Sequence, residues 1–113
     1  MKDLPEKDWK HLKKVKDKLI QRFCDEVLTK VKLITENKGN DSYKAYQDLW
    51  EVVEKAEDDL SLMFDEVIRS NAFLKLAIWK KRDLFGKEEF EKFTQETRDL
   101  ISSFLSKNPT IES

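Results

Sequence analysis

Few side chains in this sequence could carry out bond chemistry, and their spacing keeps them apart. The chain has one histidine, His11, and one cysteine, Cys24. They sit thirteen positions apart in what reads as one continuous helix. At 1.5 Å of rise per residue that is about 20 Å along the axis, too far for a base to activate a thiol within one chain. Ser61, Ser70, Ser102 and Ser103 have no His or Lys at the spacing of a nucleophile motif. Carboxylates are plentiful at Asp48, Glu51, Glu54, Glu57, Asp58, Asp59, Asp65 and Glu66, but they fall mainly on a polar helix face. A di-iron bundle needs Glu-x-x-His pairs from two helices, which a single His preceded by Asp8 cannot supply. Asn37–Asp41 is too short for a twelve-residue calcium loop, and no Gly-rich phosphate loop is present. The expectation is a non-enzymatic protein with no catalytic residue, no metal and no cofactor, in which His11 is an ordinary surface or boundary residue.

Two features could instead carry binding. Lys7, Lys10, Lys14 and Lys18 step by three or four residues and share one helix face, opposite Trp9, Leu12, Phe23 and Val27. Lysines near a helix N-terminus oppose the macrodipole, so local helix stability does not account for them. A row of four cations can track phosphates, though no aromatics are interleaved with it and no helix-turn-helix spacing is evident. The second feature is Leu60–Trp79, where thirteen of twenty residues are apolar. A helix apolar on most sides must be covered on most sides. Either the rest of the chain wraps it, or part of it meets another molecule. In the second case Leu62, Ile68, Phe73, Leu76 and Trp79 are the candidate protein interface.

The elements that must position these residues are helices. Only two Gly and two Pro occur in 113 residues, at Pro5, Gly39, Gly86 and Pro109, and long runs of good helix formers lie between them. Apolar residues from Trp9 through Ile34 recur at helical spacing, and Asp3 with Glu6 suits a capping box around Pro5. This predicts a first helix over about 4–37, then a glycine stop at Gly39 and a fresh N-cap at Asp41 or Ser42. From Tyr46 a 3,4 repeat runs through Leu49, Val53, Ala56, Leu60, Met63, Val67, Ser70, Leu74 and Ala77, the seam of a helical hairpin or coiled coil. Trp50 flanks this seam and reads as core. Ser70-Asn71 marks a break or kink, giving helices over about 42–69 and 71–84, the latter closed by a left-handed Gly86. Short helices over about 87–93, with Phe90 and Phe93 inward, and 95–106, capped by Thr94, complete the chain. Residues 107–113 read as a frayed tail.

The predicted fold is all-α. A long antiparallel helical hairpin is extended by a third helical stretch and two short C-terminal helices into one elongated helical bundle spanning 1–113. Charge supports the hairpin: residues 1–32 carry a net of +4 and residues 33–79 a net of −5. The whole chain is nearly neutral, with 22 Lys/Arg against 23 Asp/Glu, so no global charge draws it to nucleic acid or membrane. The longest apolar run, Ala72–Trp79, is far short of the roughly 20 residues that span a bilayer. No leader is evident, and Cys24 reads as a reduced, largely buried thiol, which points to the cytoplasm. The expected role is an interaction module that self-associates through an apolar helix surface, a dimer being favoured, with a further protein partner possible. The alternative is a small nucleic-acid-associated protein that uses the lysine stripe.

Overall fold

The computed structural model describes residues 3–109, so the last four positions of the expected tail lie outside the described residues. The protein is all-α. Its elements are α1 (Glu6–Glu36), α2 (Ser42–Phe64), a 3-10 turn (Arg69–Asn71), α3 (Ala72–Lys81), α4 (Lys87–Glu91) and α5 (Gln95–Lys107). They form two compact units, one drawn from Met1–Leu19 and Glu66–Ser113, the other from Ile20–Asp65. Helix α1 contributes to both.

The second unit is a two-helix hairpin made by the later part of α1 and by α2. The turn between them follows the sequence closely. Gly39 has φ +56, the left-handed conformation that favours glycine. The Asp41 carboxylate accepts from the Lys44 backbone N–H at 3.0 Å and so caps α2. Helix α2 stops at Phe64, well before the expected residue 69. Asp65 is extended and Glu66 takes φ 50. The Asn71 side chain then organises the interruption: its Oδ1 accepts from the Ile68 N–H at 2.9 Å, and its Nδ2 donates to the Glu66 carbonyl at 2.6 Å. A short polar side chain thus replaces the helical hydrogen bonds that the backbone gives up. The five-heptad seam therefore does not run on one helix: Val67 and Ser70 lie between helices, and Leu74 is 39% exposed.

The first unit has α3 at its centre. Ala72, Phe73, Leu76, Ala77, Ile78 and Trp79 are all buried, as expected for a helix apolar on most sides. Leu12, Val15 and Leu19 of α1 are buried in the same unit, with Phe93 and Ile101. Phe73 meets Phe104 edge-on at 5.5 Å. Phe85 lies 6.2 Å from Trp79, 5.5 Å from Phe90 and 5.8 Å from Phe93, spacings at which aromatic rings attract beyond simple burial. The close of α3 differs from expectation. The left-handed residue is Asp83, φ 57, with Leu84 N–H donating to the Trp79 carbonyl and Asp83 N–H to the Lys80 carbonyl, a Schellman pair. Gly86 is extended instead and opens α4, its N–H donating to Glu89 Oε1 at 2.7 Å. Thr94 caps α5 as expected, accepting from the Thr97 N–H.

An exposed ion pair joins the start of α1 to the 3-10 turn within this unit. Arg69 donates to both Glu6 oxygens, at 2.6 and 3.2 Å, and its guanidinium lies 5.2 Å from the Trp9 ring centre. The hydrogen bond from Arg69 is the main cause that holds the Glu6 carboxyl below its ordinary value. A depressed folded-state value makes the pair stabilising above the ordinary range near 4.5, and that contribution is lost as pH falls through the lowered value. Urea unfolding followed by tryptophan fluorescence is expected to show a steeper loss of stability between about pH 5 and 3 for the native sequence than for Glu6→Gln. Parallel pH profiles would rule the pair out as a contributor.

Candidate interaction surfaces

The chemistry-bearing residues are held by the scaffold. The His11 ring sits edge-on to Phe93 at 4.5 Å, and its Nε2–H donates to the Glu89 carbonyl at 2.7 Å, fastening α1 to α4. Cys24 is a free thiol, half-buried rather than largely buried. Among the described residues no three His, Cys, Asp or Glu side chains converge as a metal ion requires. No helix among them is long and apolar enough to cross a membrane.

Nothing in the local sequence marks a buried acid on α1. Asp8 is fully buried. Its Oδ1 accepts from the Thr94 backbone N–H at 2.9 Å, and its Oδ2 accepts from the hydroxyls of Thr94 at 2.7 Å and Thr97 at 2.5 Å. The carboxylate therefore caps α5 from a different helix, where the dipole also favours a negative charge. Its position three residues before His11 suggested only an unfilled metal pair; the partners come from a segment 86 residues away.

The expected apolar interface divides. Phe73 is 9% exposed, while Leu76 and Trp79 are fully buried in the core of the first unit, because the C-terminal helices fold over the face of α3 that the heptad register turned outward. These three residues are core. Leu62 and Ile68 are exposed, at 42% and 52%.

The hairpin carries apolar surface that the heptad spacing puts on or beside the seam. Tyr46 and Trp50 were expected on or beside the inward seam but are 58% and 48% exposed, their rings 6.4 Å apart and edge-on. Leu28 is 63% exposed. By helical register Leu28, Tyr46 and Trp50 share one side of the hairpin. The other side is a groove of about 470 Å³ whose apolar lining includes Phe23, Val27, Ile34, Val52 and Ala56. Carboxylates of Glu26, Asp48, Glu51 and Asp59 edge it, against the cations of Lys30 and Lys55. Asp48 is paired to Lys44 at 2.6 Å, a hydrogen bond that raises the Lys44 value. Two helices alone cannot cover both sides of their own seam, so in this unit only Ala56, Met63 and Phe64 are buried.

Lys7, Lys10, Lys14 and Lys18 are all exposed. The tertiary structure adds to them. Lys7, Lys10 and Lys14 rim an open depression of about 650 Å³ together with Lys92, just after α4, and Arg98 of α5. Lys18 lies outside this rim. No family model, curated protein or solved structure matches this chain.

Proposed function

We propose that the chain is a non-enzymatic, cytoplasmic interaction module that self-associates as a homodimer through the side of its hairpin marked by Leu28, Tyr46 and Trp50. The observation that carries this reading is the exposure of two neighbouring aromatic rings and a leucine on a hairpin with few buried residues of its own. Pairing two hairpins makes a four-helix arrangement that covers such a face, and two-fold pairing is the commonest form of self-association. The engagement of His11 with a backbone carbonyl supports a structural rather than catalytic role for it. The free Cys24 thiol suits a reducing compartment.

Residues 20–65 carry six Lys/Arg and eleven Asp/Glu, so two hairpins repel electrostatically while their apolar faces attract. Association therefore strengthens as salt screens the repulsion. Light scattering behind size exclusion, at about 100 µM and rising ionic strength, is expected to give twice the 13.5 kDa chain mass, with more dimer at high salt. Combining Leu28→Ser with Trp50→Ser is expected to yield monomer with unchanged helicity, since surface substitutions shift stability by only about 0.5 kcal/mol. A monomeric native protein at that concentration rejects self-association. A dimer that survives both substitutions places the interface elsewhere, Leu62 and Ile68 being the next candidates.

A further inference from the structure

We propose that the depression rimmed by Lys7, Lys10, Lys14, Lys92 and Arg98 binds the phosphodiester backbone of a nucleic acid without reading its sequence. This surface belongs to the first unit and is independent of the hairpin face.

Five cations face one carboxylate, Glu91, around this depression. Among the described residues Lys7, Lys10, Lys14 and Lys92 make no ion pair, so their charge is not neutralised within the fold. Arg98 is fixed in place by neutral acceptors: its Nε donates to the Phe93 carbonyl at 3.1 Å and its Nη2 to Gln95 Oε1 at 2.9 Å. Its positive charge is thus positioned but not cancelled. The nearby Asp8 carboxylate is buried beneath Thr94 with three donors upon it, and does not reach the surface. The lining of the depression includes His11, held on the Glu89 carbonyl, and Phe93, 2% exposed.

The shape and chemistry select the ligand. Along α1 the rim from Lys7 to Lys14 extends about 10 Å at 1.5 Å per residue, and the exposed Lys18 continues the row beyond it, which suits an extended polyanion better than a single small anion. An acidic peptide gains affinity mainly through apolar anchors, and Phe93 is too deeply buried to receive one. A nucleic acid carries about one charge per 1.7 Å of duplex and releases condensed counterions when lysines replace them, so it gains most from a row of cations alone. Base reading is not built in. No exposed ring around this depression offers a stacking platform, and the one guanidinium of the rim is committed through its Nε and Nη2 to holding its own position, which restricts the bidentate approach a guanine edge needs.

The test is anisotropy of a labelled mixed-sequence DNA duplex of about 20 base pairs, long enough to cover the whole row, between about 50 and 200 mM salt. With about four phosphates neutralised, the expected log–log salt slope is about −3.6, an affinity loss of about 100-fold over that range. Replacing Lys7, Lys10, Lys14 and Lys92 together by Ala is expected to abolish binding at the lowest salt. The corresponding Lys→Arg set retains it, and Ala at Lys30, Lys32 and Lys38 of the hairpin leaves it unchanged. Circular dichroism checks that each variant is folded. Absence of binding at low salt, binding untouched by the four-alanine variant, or equal competition by poly-glutamate of matched charge would each overturn the proposal.

Discussion

Asp8→Ala is expected to destabilise the first unit by about 3–5 kcal/mol, because it strands three donors at once, one buried and two part-buried. The Thr94 amide and the Thr94 and Thr97 hydroxyls all point at this one carboxylate. A hydrogen bond to a charged acceptor contributes about 1.5–3 kcal/mol, and each buried donor left unpaired costs about 1–3 kcal/mol. Relaxation and water entry at the half-buried Thr94 keep the sum below simple addition. Asp8→Asn preserves the shape and one acceptor, so its loss should be smaller, about 1–3 kcal/mol. Thr97→Val removes a donor together with its demand for an acceptor and should cost less still. Combining Asp8→Ala with Thr97→Val should then cost less than the two single losses summed, the mark of residues acting as one unit. Urea unfolding followed by tryptophan fluorescence measures all four, since Trp9 and Trp79 both belong to this unit. An Asp8→Ala loss below about 1 kcal/mol would mean that water replaces the carboxylate.

Trp79→Ala is expected to have a comparable effect, about 3–5 kcal/mol, from the cavity left by a fully buried indole. The loss falls on the monomer, independent of protein concentration, because the ring is enclosed within its own chain beside Phe85. This separates the two roles a tryptophan can take in such a sequence. Trp50→Ser should leave the unfolding midpoint of a dilute monomer almost unchanged while weakening self-association; Trp79→Ala should do the reverse. Trp79→Phe, which keeps an aromatic ring in the same space, should recover much of the stability. A Trp79→Ala protein as stable as the native chain would contradict the packing of α3 described above.

Much of the local structure was legible because its causes are local. The glycine stop at Gly39, the Asp41 cap and the Thr94 cap each depend on residues within about four positions, where side-chain oxygens and backbone amides must meet. The inward placement of Phe93 follows from spacing in the same way. The interruption before α3 was legible only in part. Ser70-Asn71 marks a weak point, yet the helix ends at Phe64 because the Asn71 amide can satisfy backbone groups several residues upstream. The heptad pattern ran across that gap undisturbed, since periodicity in a sequence does not record whether the backbone between two apolar residues stays helical.

By itself, then, the sequence determined an all-α protein, the turn between its first two helices, the caps that start α2 and α5, and a row of lysines along one face of α1. These follow from helix propensity, spacing and short-range hydrogen bonding. Only the tertiary structure decided which apolar faces are covered. It enclosed Phe73, Leu76 and Trp79, left Tyr46 and Trp50 exposed, buried Asp8 under α5, and brought Lys92 and Arg98 beside Lys7, Lys10 and Lys14. Each of those outcomes depends on elements far apart in the chain meeting in space, and coverage of a face is a property of its neighbours rather than of the residues that form it.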